Sequence, residues 1–140
     1  MINRPWIAER TAEINADADA ISILNIGDGV SVSAWTDIAA YTIVKKTAKT
    51  MTLRCDEATL INRDALRFVA GGFAAHCENQ RDQRYSYEAD PQGEVVKISL
   101  RRWVDEEGNE RRKWKKVGNQ TFAMGGNAYA GRRAYRDFNF

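Results

Sequence analysis

Histidine and cysteine are scarce in this chain, and long apolar runs are missing: its 140 residues hold one His and two Cys, and the 44% that are hydrophobic are dispersed. The single histidine, His76, stands beside Cys77. Neighbours on a strand point to opposite faces, so this pair is badly placed to act as base and nucleophile of a Cys–His enzyme. One His and two isolated Cys leave only carboxylates for a metal, and DEEGNE (residues 105–110) has hairpin-turn chemistry rather than the spacing of a calcium loop. Cys55 and Cys77 have no second thiol at ligand spacing, so they read as small core residues of a protein from a reducing compartment. The glycine-rich stretches GDG and AMGGNAYAG do not follow the Walker pattern and read as turns needing positive φ. No apolar run approaches the roughly 18 residues of a spanning helix. MINRPWIAER lacks the apolar stretch of a signal peptide, so a cytosolic chain is expected. No repeat or low-complexity segment is present. The expectation is a protein that is not an enzyme and uses no metal or cofactor.

What is present is enough for one globular domain spanning 1–140, with a buried core and no need of covalent staples. Charge is uneven. Residues 1–70 hold 8 Lys+Arg against 9 Asp+Glu, residues 71–140 hold 13 against 10, and from Lys97 onward the count is 11 against 5. A net charge of +2 does not suggest a protein that coats long nucleic acid. A local positive pocket for a small anion fits better, with a plain basic face as its competitor.

Residues 5–20, PWIAERTAEINADADA, read as a helix with Pro5 in its first turn. Trp6, Ile7, Ala8, Thr11, Ile14 and Ala18 recur at three- and four-residue steps as a stripe that should lie on a sheet. Gly27, Asp28 and Gly29 then mark a turn. VSVSAW, AAYTIVKK and TMTLRC follow as a three-stranded meander, rich in β-branched residues, with Val30, Val32 and Ala34 on one side of the first strand. Residues 57–76 break that rhythm and read as an insertion loop, in which Gly71-Gly72 would serve equally as a strand bulge. QRYSYEAD and EVVKISLRRW read as strands around a tight turn at Pro91 to Gly93, and DEEGNE as a second hairpin turn into RRKWKKV. AGRRAYRDFNF is expected to supply a closing strand. Seven or so short strands plus one helix give a mainly β, α+β class: a small barrel-like antiparallel sheet (29–140) with the N-terminal helix packed on it.

The remaining chemistry is aromatic plus cationic. Trp35, Tyr41, Trp103, Trp114 and Tyr135 stand next to or two residues from Thr36-Asp37, Arg101-Arg102, Arg112-Lys113-Lys115 and Arg132-Arg133. Bases stack on aromatic planes for roughly 1–3 kcal/mol each and guanidinium forks grip phosphate, so a nucleotide pocket needs both types. The alternative is a set of core tryptophans with snorkelling basic neighbours. In RRKWKK, alternation places Arg112, Trp114 and Lys116 on one face and Arg111, Lys113 and Lys115 on the other. The final GRRAYRDFNF poses the same choice: arginines turned to a pocket, or Phe138 and Phe140 in the core with arginines in water.

Three segments, IGDGVSVSAWTDIAAYTIVKKTAKTMTLRCDEA, YSYEADPQGEV and GRRAYRDFNF, together cover roughly half the chain. In order and spacing they resemble the phage Thoeris anti-defence signal-sequestering (sponge) proteins of the first-described type. The matching residues are Gly27, Gly29, Trp35, Thr36, Asp37, Tyr41, Thr42, Tyr85, Tyr87, Asp90, Pro91 and Gly93, then Arg132, Tyr135, Asp137, Phe138 and Phe140. The chain departs from the pattern at Ile38-Ala39, at Arg136 and over 57–80. The resemblance implies a non-enzymatic protein in the cytoplasm of an infected bacterium. It would bind cyclic ADP-ribose isomers made by TIR-domain enzymes, such as glycocyclic ADP-ribose, with cyclic oligonucleotides a further ligand class. It also implies homo-oligomers, dimers assembled into hexamers, with pockets at subunit boundaries. On this reading Arg132 and Arg133 hold the pyrophosphate, Trp103 or Tyr135 stacks on adenine, and Asp137 accepts from ribose hydroxyls or orients Arg132. Trp35, Asp37, Tyr41 and Arg112 complete the candidate ligand residues. The competing expectations are a small β-barrel for single-stranded nucleic acid or a protein partner, and a phage structural subunit.

Overall fold

The alanine-rich opening segment is helical, as its spacing predicts, and runs two residues further: α1 spans Pro5–Ser22. The structure is a computed structural model that describes residues 5–34, 36–71, 74–118 and 125–139, the side chains of 5–8, 71, 74 and 75 excepted. Of the predicted stripe, Trp6, Ile7 and Ala8 carry side chains outside those described, Thr11 and Ala18 are buried and Ile14 is half-buried. Ile21, past the predicted end, is the deepest of the described helical side chains at 0% exposure.

Ten strands follow among the described residues, against the seven or so expected: β1 (Gly29–Ser33), β2 (Ile38–Lys46), β3 (Thr50–Cys55), β4 (Glu57–Leu60), β5 (Phe68–Gly71), β6 (Ala74–Cys77), β7 (Tyr85–Glu88), β8 (Val95–Val104), β9 (Glu110–Lys116) and β10 (Ala128–Ala130). Six of them form an antiparallel sheet in the order β10-β1-β2-β3-β8-β9, which contains the predicted meander β1-β2-β3. Lys116 N–H donates to Gly126 O at 2.8 Å, and Lys115 bridges Asn127. The two ends of the sheet thereby meet in a nearly closed barrel.

Alternation places Val30, Val32, Tyr41, Ile43, Met51, Leu53, Val96, Ile98 and Trp114 in one buried cluster with Ala18 and Ile21 of α1. Facing pairs such as Val30 with Tyr41, Leu53 with Val96 and Leu100 with Trp114 fix the register. Trp114 is therefore a core residue, and its indole N–H donates to Ser22 Oγ at 3.0 Å. Lys115, on the opposite face, is also fully buried, with Nζ donating to Asn127 Oδ1 at 3.2 Å. Burial, with Lys113 and Arg101 nearby, lowers its pKa.

Helix α1 lies along β9 and β10 and covers their seam. Asn15 accepts from Arg112 N–H at 2.9 Å and donates to Glu110 O at 3.0 Å, which satisfies the backbone edge of β9. Lys46 at the end of β2 donates to the carbonyls of Ser22 (2.8 Å) and Leu24 (2.5 Å), capping the helix with a cation where its dipole is negative. Among the described residues no helix is long and apolar enough to cross a membrane.

The expected insertion loop is instead a structured arm over 57–88. Strand β4 pairs β7, and β5 pairs β6 further out, with one turn of 3₁₀ helix on each side at Arg63–Ala65 and Gln80–Asp82. Two asparagines hold the arm where the ladder breaks. Asn62 accepts from Arg84 N–H and donates to Asp82 O. Asn79 accepts from Arg67 N–H and donates to Ala65 O. Gly71 pairs Ala74 as the last described rung of that ladder, and Gly72 lies outside the described residues.

Two further expectations are corrected. The turn at Pro91 to Gly93 forms, with Gly93 N–H donating to Asp90 O at 2.9 Å, but β7 and β8 do not pair across it. Instead it returns the chain from the arm to β3. Gly93 presses so closely on the Cys55 carbonyl that a Cβ there would overlap it. The closing strand is β10, one step earlier than predicted. The backbone of the described residues 132–139 pairs with the sheet at one isolated bridge, Tyr135 to Ile38.

Candidate functional site

Residues 132–139 form a strap between barrel and arm, and amide side chains serve as its strand partners. Gln83 donates to Arg136 O at 2.6 Å and accepts from Arg136 N–H at 3.0 Å, while Gln80 accepts from Phe138 N–H at 2.9 Å. Asn139 accepts from Cys77 N–H (2.7 Å) and donates to Cys77 O (2.8 Å). Tyr87 Oη accepts from Ala134 N–H at 3.0 Å. Phe138 packs edge-on against Phe68, ring centroids 5.3 Å apart, so it sits against the arm and not in the barrel core. Phe140 lies outside the described residues.

The strap starts from an ion pair whose carboxylate is buried and whose guanidinium is partly exposed. Arg132 Nε donates to Asp56 Oδ2 at 2.9 Å and its Nη2 donates to Thr42 Oγ1 at 2.9 Å and Gly27 O at 3.2 Å. Thr42 Oγ1 in turn donates to Asp56 Oδ1 at 2.5 Å. The Asp56 side chain is only 2% exposed. Gly29 leaves the space: a Cβ there would overlap the Arg132 side chain. Arg132 is thus tied to the fold through Nε and Nη2, while its side chain stays 33% exposed.

Arg133 has no such anchor among the described residues. It is exposed and lines two adjoining clefts, together with Ser33 and Ile38. The first, about 500 Å³, is walled by Thr36 and Asp37 after β1, by Tyr135 of the strap and by Arg81 of the arm. The second, about 630 Å³, extends past Tyr129 and Gly131 to the exposed part of Arg132. Neither Arg81 nor Arg133 has an ion pair among the described residues. Burial raises the Tyr135 phenol pKa, Asp137 and Asp37 push the same way, and Arg81 opposes them, so cations and carboxylates surround that hydroxyl.

No family model, curated protein or solved structure matches the chain.

The other candidate residues scatter. Tyr41 is a core residue, 7% exposed, its phenol pushed up to about 12 by burial. Arg112 is locked to Asp19 of α1, with Nε–Oδ1 at 2.7 Å and Nη2–Oδ2 at 2.6 Å. Trp103 sits on β8 facing Arg111, away from the clefts. Asp137 accepts from Asn139 N–H at 2.9 Å, which shapes the strap. Trp35 lies outside the described residues, although Ala34 and Thr36 on either side line the first cleft. The structure therefore gathers Asp37, Arg133 and Tyr135, and adds Arg81. His76 is exposed and Cys77 buried, on opposite faces of β6 as alternation requires.

What gathers here is cationic, aromatic and hydrogen-bonding. Such a cleft can hold phosphate oxygens, accept a flat ring and accept from a hydroxyl. Sequence reasoning missed Arg81, which sits in QRDQR with no aromatic neighbour; only the arm's fold carries it to the cleft.

Proposed function

We propose that this protein captures a small cyclic nucleotide signal, a cyclic ADP-ribose isomer such as glycocyclic ADP-ribose, and holds it intact. The observation that carries this reading is the convergence of Arg81 and Arg133, unpaired among the described residues, with Tyr135 and Asp37 on one cleft. Two guanidinium groups from separate segments suit two linked phosphates, and a ring wall suits a base. Stoichiometric capture needs tight binding without turnover, for which a preorganised cleft suffices. The resemblance to the Thoeris sponge proteins supports the same reading, and with it blockage of bacterial immunity in the host cytoplasm and assembly as a homo-oligomer.

Calorimetry of the purified chain with glycocyclic ADP-ribose tests it. Saturable heat, with the ligand recovered chemically unchanged, is expected. Arg81→Ala and Arg133→Ala should each weaken binding about ten- to a hundredfold, as expected for loss of a charge-assisted contact of roughly 1.5–3 kcal/mol. Affinity should fall only shallowly with salt, because two phosphates release few counterions, whereas a single-stranded nucleic acid would give a steep slope. Absence of heat, or an altered ligand, overturns the proposal.

A further inference from the structure

The first cleft contains a carboxylate that a simple polyanion site would avoid. Asp37 lines it together with Arg81 and Arg133, yet makes no ion pair with either among the described residues. Its Oδ1 is occupied, accepting from the Asp137 backbone N–H at 2.8 Å and from Thr36 Oγ1 at 3.4 Å. That bond fixes the carboxylate against the strap beside Tyr135, two residues before Asp137. Oδ2 has no hydrogen-bond partner among the described residues. An ionised carboxylate accepts hydrogen bonds and donates none. Next to it, phosphate is repelled and a hydroxyl is welcomed.

We infer that Asp37 is the specificity-determining residue of this cleft, selecting phosphorylated ligands that present free ribose hydroxyls over bare polyanions. The inference rests on the proposed ligand site and names the part of the ligand that the site reads. Arg81 and Arg133 supply attraction that any phosphate can use; Asp37 converts it into discrimination, because only a ligand with a hydroxyl donor recovers what the carboxylate costs a phosphate. Specificity from an element that repels the wrong partner as well as attracting the right one is the general pattern. Asn at this position would keep an oxygen for the Asp137 N–H and Thr36 while replacing the charged free oxygen by a donor, so the strap stays pinned and only the reading changes.

The test is a calorimetric cycle on the full chain, wild type and Asp37→Asn. The probes are ADP-ribose, an ADP-ribose analogue with the ribose hydroxyls replaced by hydrogen, and inorganic pyrophosphate. Wild type should bind ADP-ribose at least tenfold more tightly than either of the others. Asp37→Asn should lose about tenfold toward ADP-ribose and gain severalfold toward both the hydroxyl-free analogue and pyrophosphate. The ratio between ADP-ribose and its analogue is the deciding quantity, since any general loosening of the strap would move both together and cancel. A ratio that shifts less than twofold on substitution overturns the role of Asp37 and leaves the capture reading standing. Failure of the wild type to bind any of the three, or glycocyclic ADP-ribose, removes the site itself and both conclusions with it.

Discussion

Of two adjacent arginines in this chain only one is anchored by an ion pair among the described residues, and the reason is a neighbouring glycine. Arg132 can reach Asp56 only because Gly29 leaves room for its side chain, whereas Arg133 has no ion pair among the described residues. Arg132→Ala would leave the Asp56 carboxylate, 2% exposed, without its counter-charge, so it should cost about 3–5 kcal/mol in urea unfolding. Arg133→Ala, which removes an exposed side chain, should change stability by less than about 0.5 kcal/mol. A second residue-scale prediction concerns Tyr41. Its folded-state pKa, about 12, lies above the ordinary value of 10.0, so the native state holds the phenolic proton more tightly than the unfolded chain. That contribution is full below pH 10 and is lost as pH rises from 10 toward 12. A shift of that size is worth up to roughly 2–3 kcal/mol. Urea midpoints between pH 9 and 11.5 should fall more steeply for wild type than for Tyr41→Phe, which keeps the ring and removes the titration; parallel slopes would contradict the assignment.

Helix α1 has no acidic residue in its first turn and no basic residue in its last, so its end is stabilised from outside, by Lys46. Lys46→Met should therefore lower stability by about 1–2 kcal/mol while leaving the barrel's strand signature in circular dichroism unchanged. The elements that rest on alternation were readable in the sequence: β1, β2 and β3 appear where Val30, Val32, Ile43 and Leu53 place them, and the hairpin at DEEGNE closes where Asp105 accepts from Glu107 and Asn109 N–H. The arm, apart from its strand β7, was not readable. Its cohesion comes from Asn62 and Asn79 bonding to distant backbone, and its attachment from Gln80, Gln83 and Asn139, none of which leaves a periodic trace. The same fact explains the site. Arg133, Tyr135 and Asp37 stand out as an aromatic and arginine pattern, whereas Arg81 becomes meaningful only when the arm folds back. Trp103, Tyr41 and Arg112 show the pattern equally well and are placed elsewhere by sheet register and helix docking.

At the scale of the whole molecule, the first cleft has walls from two bodies: Asp37 belongs to the barrel and Arg81 to the arm, with the strap between them. The arm joins the barrel covalently at β4 and β7, but its outer part is held down by five hydrogen bonds from Gln80, Gln83 and Asn139 to the strap and Cys77. At roughly 0.5–1.5 kcal/mol each, such bonds can be lost together without unfolding a barrel whose core lies elsewhere. Replacing all three residues by Ala should raise amide hydrogen exchange at Cys77, Arg136 and Phe138 at least tenfold. Protection at Val30, Ile43 and Leu53 should stay within twofold of wild type. Because Arg81 would then no longer be held opposite Arg133, ligand affinity should drop at least as far as in Arg81→Ala, with no further loss when Arg81→Ala is added to the triple variant. Additive losses would mean that the arm keeps its place without the strap, and that the cleft is a property of the barrel alone.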